Sequence, residues 1–398
     1  MEREILVTGM GIIAGPGNGK EAIYKALKEC HSAIKPIEYL NTIHHHLPAG
    51  EVPFTNEEMC RLLEIGEEEI CTRTALLGRV ALREAIREAK IGEKTKRIAF
   101  ISGTTVGGMD KSEQYYSDFL ANDEKNSYIE SHDCGATTAL IAQEFSGKFS
   151  IITTISTACS SAANALILGA NLIKTGRADI AIVGGSESLS KFHFNGFNTL
   201  MILDKSQCKP FDKLRAGINL GEGAAYLVLE SEESAKARDV APICKVSGYG
   251  NACDAFHQTA TSPQGDGPFL AMEKALQNCK LSPKEIGYVN AHGTGTDNND
   301  LTEGIAIQRL FGNAVPPVSS TKAFTGHTTS AAGSVESVIS ILALTRNFIP
   351  VNLNFTFPIE ELDFMPVKEE KGKVDIQHVL TNSFGFGGND SAVVFSKL

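Results

Sequence analysis

A pattern met twice constrains this chain most: a nearly continuous apolar strand runs into a glycine-bearing turn, and a helix follows. In the first half, residues 97–103 lead to Gly107-Gly108, and residues 179–183 lead to Gly184-Gly185. After the charged stretch 231–239 the pattern starts again. Residues 243–249 read as a strand, 269–279 as a helix, and 286–290 as a strand ending in Ala291-His292-Gly293-Thr294-Gly295-Thr296. Strands apolar along their whole length need cover on both faces, which predicts an α/β fold. The recurrence predicts a duplicated unit divided near residue 240, as 1–240 and 241–398. In such sheets reactive groups gather beyond the carboxyl ends of the strands. Cys159, His292, His327 and Phe384 all fall at such ends.

Cys159 belongs to Thr157-Ala158-Cys159-Ser160-Ser161, which follows the β-branched run 151–156 and precedes an Ala/Leu/Ile-rich run to Thr175. The first run reads as a buried strand and the second as a helix buried on nearly every side. Cys159 is therefore expected at a strand-to-helix turn, where unpaired N–H groups and the helix dipole favour thiolate over thiol.

Bulk properties exclude several classes of function. With 37 basic and 47 acidic residues the net charge is -10, against the basic patch usual in a nucleic-acid binder. The 9 cysteines are irregularly spaced and form no CxxC pair, which fits a reducing cytoplasm and neither a disulfide framework nor a structural zinc site. The first residues lack the apolar core of a signal peptide, and no stretch approaches the roughly 18 apolar residues of a membrane span. Residues 5–15 resemble a dinucleotide fingerprint, but the glycine spacing is off by one and Pro16 follows where a helix should begin, so a strand and turn are expected. His44-His45-His46 reads as a solvated loop, because consecutive side chains do not converge on one ion. Residues 72–90 show an amphipathic helical pattern.

Five ordered motifs resemble those of the β-ketoacyl-acyl-carrier-protein synthases of the elongating, two-histidine type. They are Thr157-Ala158-Cys159-Ser160-Ser161, the run from Asn290 to Thr296, Ser319-Ser320-Thr321-Lys322 through Gly326-His327, Ala331-Ala332-Gly333, and the run from Asn382 to Gly388. The resemblance spans essentially the whole chain. It implies a thiolase-like fold with two βαβαβ halves in an α-β-α-β-α body, usually a homodimer, with a heterodimer containing a non-catalytic chain-length partner as the alternative. It implies that Cys159 takes an acyl group from an acyl carrier protein and that His292 and His327 act as donors during decarboxylation of malonyl-carrier. Lys322 is implied to keep His327 neutral, Glu336 to hold the network, and the N–H groups of Cys159 and Phe384 to form an oxyanion hole. Phe384 is implied as a gate with Gly385 and Phe386 beside it, and Thr294 and Thr296 as contacts of the phosphopantetheine arm. That arm belongs to the carrier; no resident cofactor or metal is implied.

Some stretches depart from the family. Asn389-Asp390 replaces the usual Thr-Asn, Ala216-Gly217-Ile218-Asn219 stands where Asp-Gly-Phe is common, and 110–143 and Phe192-His193-Phe194-Asn195 are unusual. These bear on the acyl chain and suit a specialised pathway such as polyene assembly. Glu67-Glu68-Glu69 stand where relatives are often basic, while Lys205, Lys209, Lys213 and Arg215 form a positive run suited to an acidic carrier. A thiolase would need a second catalytic cysteine near the C-terminal turn, and none lies beyond Cys279.

Overall fold

A computed structural model describes residues 3–66, 69–92, 95, 97–370 and 372–398. Its strands are β1 (Ile5–Ala14), β2 (Gly17–Asn18), β3 (Ile98–Gly103), β4 (Ile151–Ile155), β5 (Ile180–Glu187), β6 (Gly223–Ser231), β7 (Cys244–Cys253), β8 (Tyr288–Asn290), β9 (Val318–Ser319), β10 (His378–Gly385) and β11 (Asn389–Ser396). They run in the order β4-β3-β5-β6-β1-β7-β11-β10-β8-β9, with β2 paired to β1. Read outward from the middle, the two halves have the same plan. In the first, β3 is parallel to β4 and β5, and β6 is antiparallel to both β5 and β1. In the second, β8 is parallel to β9 and β10, and β11 is antiparallel to both β10 and β7. Within the sheet, among the described residues, the halves are joined where Leu6 and Val7 pair with Lys245 and Cys244.

Alternation along the strands sorts the side chains into three apolar layers. On β3, β5 and β6, Ile98, Phe100, Ile180, Ile182, Tyr226 and Val228 face an outer cluster with the helix Arg73–Glu88. Their neighbours Ala99, Ile101, Ala181, Val183, Leu227 and Leu229 face a central cluster shared by both halves. The central cluster contains the buried helices Ser161–Lys174 and Ala332–Arg346. A third cluster lies under the outer helices Asp266–Cys279 and Asp297–Phe311 of the second half. Three apolar layers between two half-sheets and three helical layers make the α-β-α-β-α body, with strands covered on both faces as their composition requires.

The outer helix begins at Thr72, whose hydroxyl accepts the Ala75 N–H, a cap worth about 1 kcal/mol. The two central helices follow β4 and β9, which hold equivalent places in the halves. Their N-termini approach so closely that a Cβ on Gly333 would lie 2.7 Å from the Ala163 nitrogen. This contact brings the connections carrying Cys159 and His327 together.

Two local expectations are corrected. The run 151–155 is not a buried strand: β4 is the sheet edge, and Ile152 is 50% exposed. A β-branched composition records strand preference, not depth in the sheet. His44 is not solvated; it is buried, bonded to Asn195 Oδ1 at 2.8 Å and stacked on Phe194, while His45 and His46 are exposed. The stretch 5–16 is the expected strand and turn: β1 continues through Gly9 and Gly11 to Ala14, and the turn falls at Gly15 and Pro16.

Candidate active site

Three connections converge at the carboxyl ends of their strands: the one after β4 carries Cys159, that after β8 carries His292, and that after β9 carries Lys322 and His327. The end of β10 supplies Phe384 and Gly385. All four residues Cys159, His292, His327 and Phe384 are buried, and with Gly385, Phe386, Thr294 and Thr296 they line one cavity of about 310 Å³.

Each reactive side chain is fixed by its backbone. Ala158, just before Cys159, has φ 52°, a left-handed conformation that a non-glycine residue holds only when its surroundings impose it. Ser161 imposes it, donating to the Ala158 carbonyl at 2.6 Å and accepting the Thr157 N–H at 2.9 Å. The His327 N–H donates to the Asn219 carbonyl at 2.8 Å, and the His327 carbonyl accepts the Gly221 N–H at 2.9 Å. The N–H groups of His292 and Gly293 both donate to Glu303, at 2.8 and 2.7 Å.

The Cys159 sulfur, one nitrogen of His292 and one of His327 lie within 4.8 Å of one another, and His327 Nε2 is 3.0 Å from the sulfur. The two imidazole rings are 5.2 Å apart and nearly perpendicular, with the Phe384 ring 5.8 Å from that of His292. Lys322 and Glu336 form a buried ion pair, and Lys322 also donates to the His292 carbonyl and to His292 Nδ1, the latter at 3.2 Å. Because an ammonium can only donate, Nδ1 must carry the lone pair, and the ring proton sits on Nε2. His292 therefore offers the cavity a hydrogen-bond donor. His327 differs: its Nδ1 is buried with no partner among the described residues, so neither neutral tautomer is locked.

Burial, followed by the charge of Lys322, holds both imidazoles well below their ordinary value, so both stay neutral. Burial lifts the Glu336 carboxyl to about 7 against the pull of Lys322, and lifts Glu303 to about 7 against its N–H donors. Cys159 departs from expectation. Burial pushes its thiol up to about 11, outweighing Lys322 and the N–H of Phe386, which both pull it down. Burial thus favours the thiol; the proton needs an acceptor, and His327 Nε2 is adjacent.

The charge of Lys322 acts on His327 as expected, while its hydrogen bond goes to His292. The backbone N–H groups of Phe386 and of Cys159 itself act on the Cys159 sulfur. Thr294 and Thr296 bond each other at 2.9 Å in the wall of the cavity. Phe386 is 38% exposed and stacks on Phe197, whose ring lies 5.9 Å away. Of the unusual stretches, Ala216, Gly217 and Ile218 line the cavity, whereas His193 and Phe194 are buried and Asn195 holds His44.

Half of the positive run is committed elsewhere. Arg215 donates to the Thr296 and Asp297 carbonyls, and Lys213 pairs with Glu360. Among the described residues Lys205 and Lys209 carry no ion pair; Glu67 and Glu68 lie outside the described residues. The sequence reading missed Glu303, whose only signal was a carboxylate next to apolar residues in a helix, and the polar group around Asn389. A cysteine and two histidines this close could in principle hold a soft metal ion. Here the Lys322 cation and the Nε2 proton of His292 oppose it, since a metal needs a lone pair where His292 presents a proton.

Comparison with known proteins agrees with this geometry. Residues 2–235 match the family described as "Beta-ketoacyl synthase, N-terminal domain", and residues 243–356 match "Beta-ketoacyl synthase, C-terminal domain". The 3-oxoacyl-[acyl-carrier-protein] synthase 2 of Vibrio harveyi is 33% identical over 416 residues, covering 100% of this chain and 99% of that protein. The synthase of the same name from Staphylococcus aureus is 32% identical, covering 99% of this chain and 98% of that protein. Among solved structures, the ishigamide ketosynthase/chain length factor superposes with TM-score 0.92 at 31% identity, with 100% of both chains covered. The ketosynthase ApeO from Xenorhabdus doucetiae, solved in complex with its chain length factor ApeC, gives TM-score 0.83 at 30% identity, covering 100% of this chain and 98% of that one. With a cysteine facing two neutral histidines on a duplicated α/β body, and both family regions matched along its length, the chain belongs to the β-ketoacyl synthases.

Proposed function

We propose that this chain is a 3-oxoacyl-[acyl-carrier-protein] synthase, joining a Cys159-bound acyl group to malonyl-acyl-carrier protein with loss of carbon dioxide. The observation that carries the reading is the convergence of the Cys159 sulfur and one nitrogen each of His292 and His327 within 4.8 Å, at a cavity long enough in its lining to reach solvent-exposed Phe386.

In the first half-reaction the sulfur attacks the carrier thioester, and its proton passes to His327 Nε2 and on to the departing thiolate of the phosphopantetheine arm. The N–H groups of Cys159 and of the Phe384–Phe386 segment face the developing oxyanion. In the second half-reaction malonyl-carrier occupies the same channel along Thr294 and Thr296. Its carboxylate leaves as carbon dioxide, and the electron pair moves onto the thioester oxygen as an enolate. The Nε2–H of His292 and, in its other tautomer, the Nε2–H of His327 stabilise that oxygen. The enolate carbon then attacks the acyl carbonyl, the carbon–sulfur bond breaks, and the sulfur recovers a proton. Lys322 with Glu336 fixes the His292 tautomer, and Phe384 gates the cavity.

On this reading residues 1–240 supply the nucleophile and 241–398 both histidines, the arm arrives with the carrier and not as a resident cofactor, and the enzyme works in the cytoplasm. Among the described residues no helix is long and apolar enough to cross a membrane. The usual assembly is a homodimer. A second reading, as the active member of a heterodimer, is favoured by the two relatives solved with chain length factors.

Intact-mass measurement against a panel of acyl-carrier proteins tests the proposal. An acyl adduct should form on the native chain and be absent in Cys159→Ala. No adduct with any carrier would overturn the reading, and full malonyl decarboxylation by His327→Ala would remove the role given to that residue.

A further inference from the structure

The turn carrying Cys159 is held from its own side by Ser161, and it is also held from the other half of the molecule. Asn389, the first residue of β11, places its Oδ1 where three donors meet: Ser160 Oγ at 2.8 Å, Asn164 Nδ2 at 2.7 Å and Asn251 Nδ2 at 3.0 Å. Ser160 follows the nucleophile, Asn164 lies in the first turn of its helix, and Asn251 lies on β7. Thr157 Oγ1 joins the same group, accepting from Asn164 at 2.9 Å, and the single Ser160 hydroxyl proton has the Thr157 carbonyl at 2.7 Å within reach as well as Asn389 Oδ1. Asn164 Oδ1 closes the network by accepting from Ser391 Oγ at 2.9 Å and Asn251 Nδ2 at 3.1 Å.

This network spans the seam between the nucleophile turn and the hairpin that carries Phe384 to Gly388. Across that seam the fit is close: a Cβ on Gly385 would meet the Thr157 carbonyl at 2.8 Å and Ser160 Oγ at 3.2 Å. The Phe386 N–H reaches the Cys159 sulfur over it. A turn that includes left-handed Ala158 keeps its shape only if several contacts over-determine it. Among the described residues, Asn389 is the side chain that ties the residue after the nucleophile, the helix behind it and the hairpin opposite to a single atom. It is also a position where this chain departs from the family's usual threonine.

We propose that Asn389 is a positioning residue: through its carboxamide oxygen it locks the Cys159 turn to the Phe384–Gly388 hairpin, setting the sulfur against His327 and the backbone N–H groups. The inference rests on Cys159 being the acyl acceptor. Loss of the clamp moves the sulfur by a fraction of an ångström to an ångström, enough to slow the chemistry while leaving the carrier's path along Thr294 and Thr296 intact.

The experiment compares Asn389→Ala, Asn389→Asp, Ser160→Ala and the double variant Ser160→Ala/Asn389→Ala in the full chain. Asn389→Ala is expected to lower kcat by about 10- to 100-fold, with KM for malonyl-carrier changing less than about twofold. Asn389→Asp keeps an acceptor oxygen in place and is expected to recover most of the rate. Because Ser160 and Asn389 belong to one hydrogen-bond network, the double variant should be no worse than the poorer single variant by more than about threefold. The rate of Cys159 alkylation by iodoacetamide at fixed pH is followed in parallel, since it reads the sulfur without needing condensation. A wild-type chain that alkylates at Cys159 yet condenses nothing would refute the synthase reading and leave the alkylation comparison as the test of the clamp. Unchanged kcat and unchanged alkylation in Asn389→Ala, a loss of equal size in Asn389→Asp, or additive losses in the double variant would overturn the proposal. If Asn389→Ala does not fold, Ser160→Ala and Asn389→Asp decide it alone: a lowered kcat in the first with near-normal kcat in the second supports the clamp, and any other pairing refutes it.

Discussion

Burial gives Cys159 and Lys322 opposite problems, and each is solved by a neighbour. The sulfur is 6% exposed and its thiol is pushed up to about 11, so at neutral pH it keeps its proton until His327 takes it. Alkylation of Cys159 by iodoacetamide should therefore be slow at pH 7 and rise steeply above pH 9; a rate that is flat from pH 6 to 9 would show a resting thiolate instead. Lys322 is 1% exposed, which is tolerable only because Glu336 and the His292 carbonyl accept its hydrogens. Lys322→Met should lower malonyl decarboxylation by about 10²- to 10³-fold, the usual cost of losing one oriented donor. It should also lower stability by about 3–5 kcal/mol, because Glu336 is left buried without its partner. Thermal unfolding separates the two effects. Since both imidazoles are held well below their ordinary value, decarboxylation should keep its rate as pH falls past 6.5, and a half-maximal point at 6.5 or above would contradict the neutral pair.

At the scale of the elements, the hairpin of β10 and β11 and the helix N-terminus after β4 act as two jaws. Gly385→Ala puts a methyl group 2.8 Å from the Thr157 carbonyl, closer than real contacts allow, so the jaws must part. A loss of kcat of at least about tenfold is expected, with alkylation of Cys159 altered in the same variant; normal kinetics would mean that the hairpin is free to move. Of the four expected cations, Lys205 and Lys209 carry no ion pair among the described residues, whereas Arg215 holds the start of the helix Asp297–Phe311 and Lys213 pairs with Glu360. Lys205→Glu with Lys209→Glu should raise KM for acyl-carrier substrates several-fold, increasingly at low salt, while leaving turnover of a small pantetheine thioester alone. Equal effects on both substrates would refute a docking role.

Across the whole molecule, the second half carries a buried acid that the family's usual asparagine would avoid. Asp390 is 2% exposed, its Oδ2 has no hydrogen-bond partner among the described residues, and burial together with Asp254 and Glu303 pushes its carboxyl up to about 8. The sign follows from linkage. The folded form keeps this proton to about pH 8 while the unfolded chain releases it near 4, so the folded form loses stability relative to the unfolded one as pH rises through that window. Asp390→Asn should therefore melt above the wild type at pH 7.5, with the gap closing as pH falls toward 4; a gap constant with pH would show that Asp390 does not titrate on unfolding. Much of this body was legible in the residues themselves. Apolar strands ending in glycine turns require double-sided cover, and their recurrence after residue 240 carries the duplication; the order of the Cys159, His292, His327 and Phe384 motifs carries the chemistry. Depth and partnership were not legible, because they depend on which strand ends up at an edge and which side chains cross the seam between halves. That is why β4 lies at the sheet margin, why Lys322 bonds His292, and why Asn389 meets Ser160 from 229 residues away. Residue types and spacing determined the fold class and the reactive groups; only the packing of two half-sheets over one helical layer decided their protonation, their tautomers and the contacts that hold them.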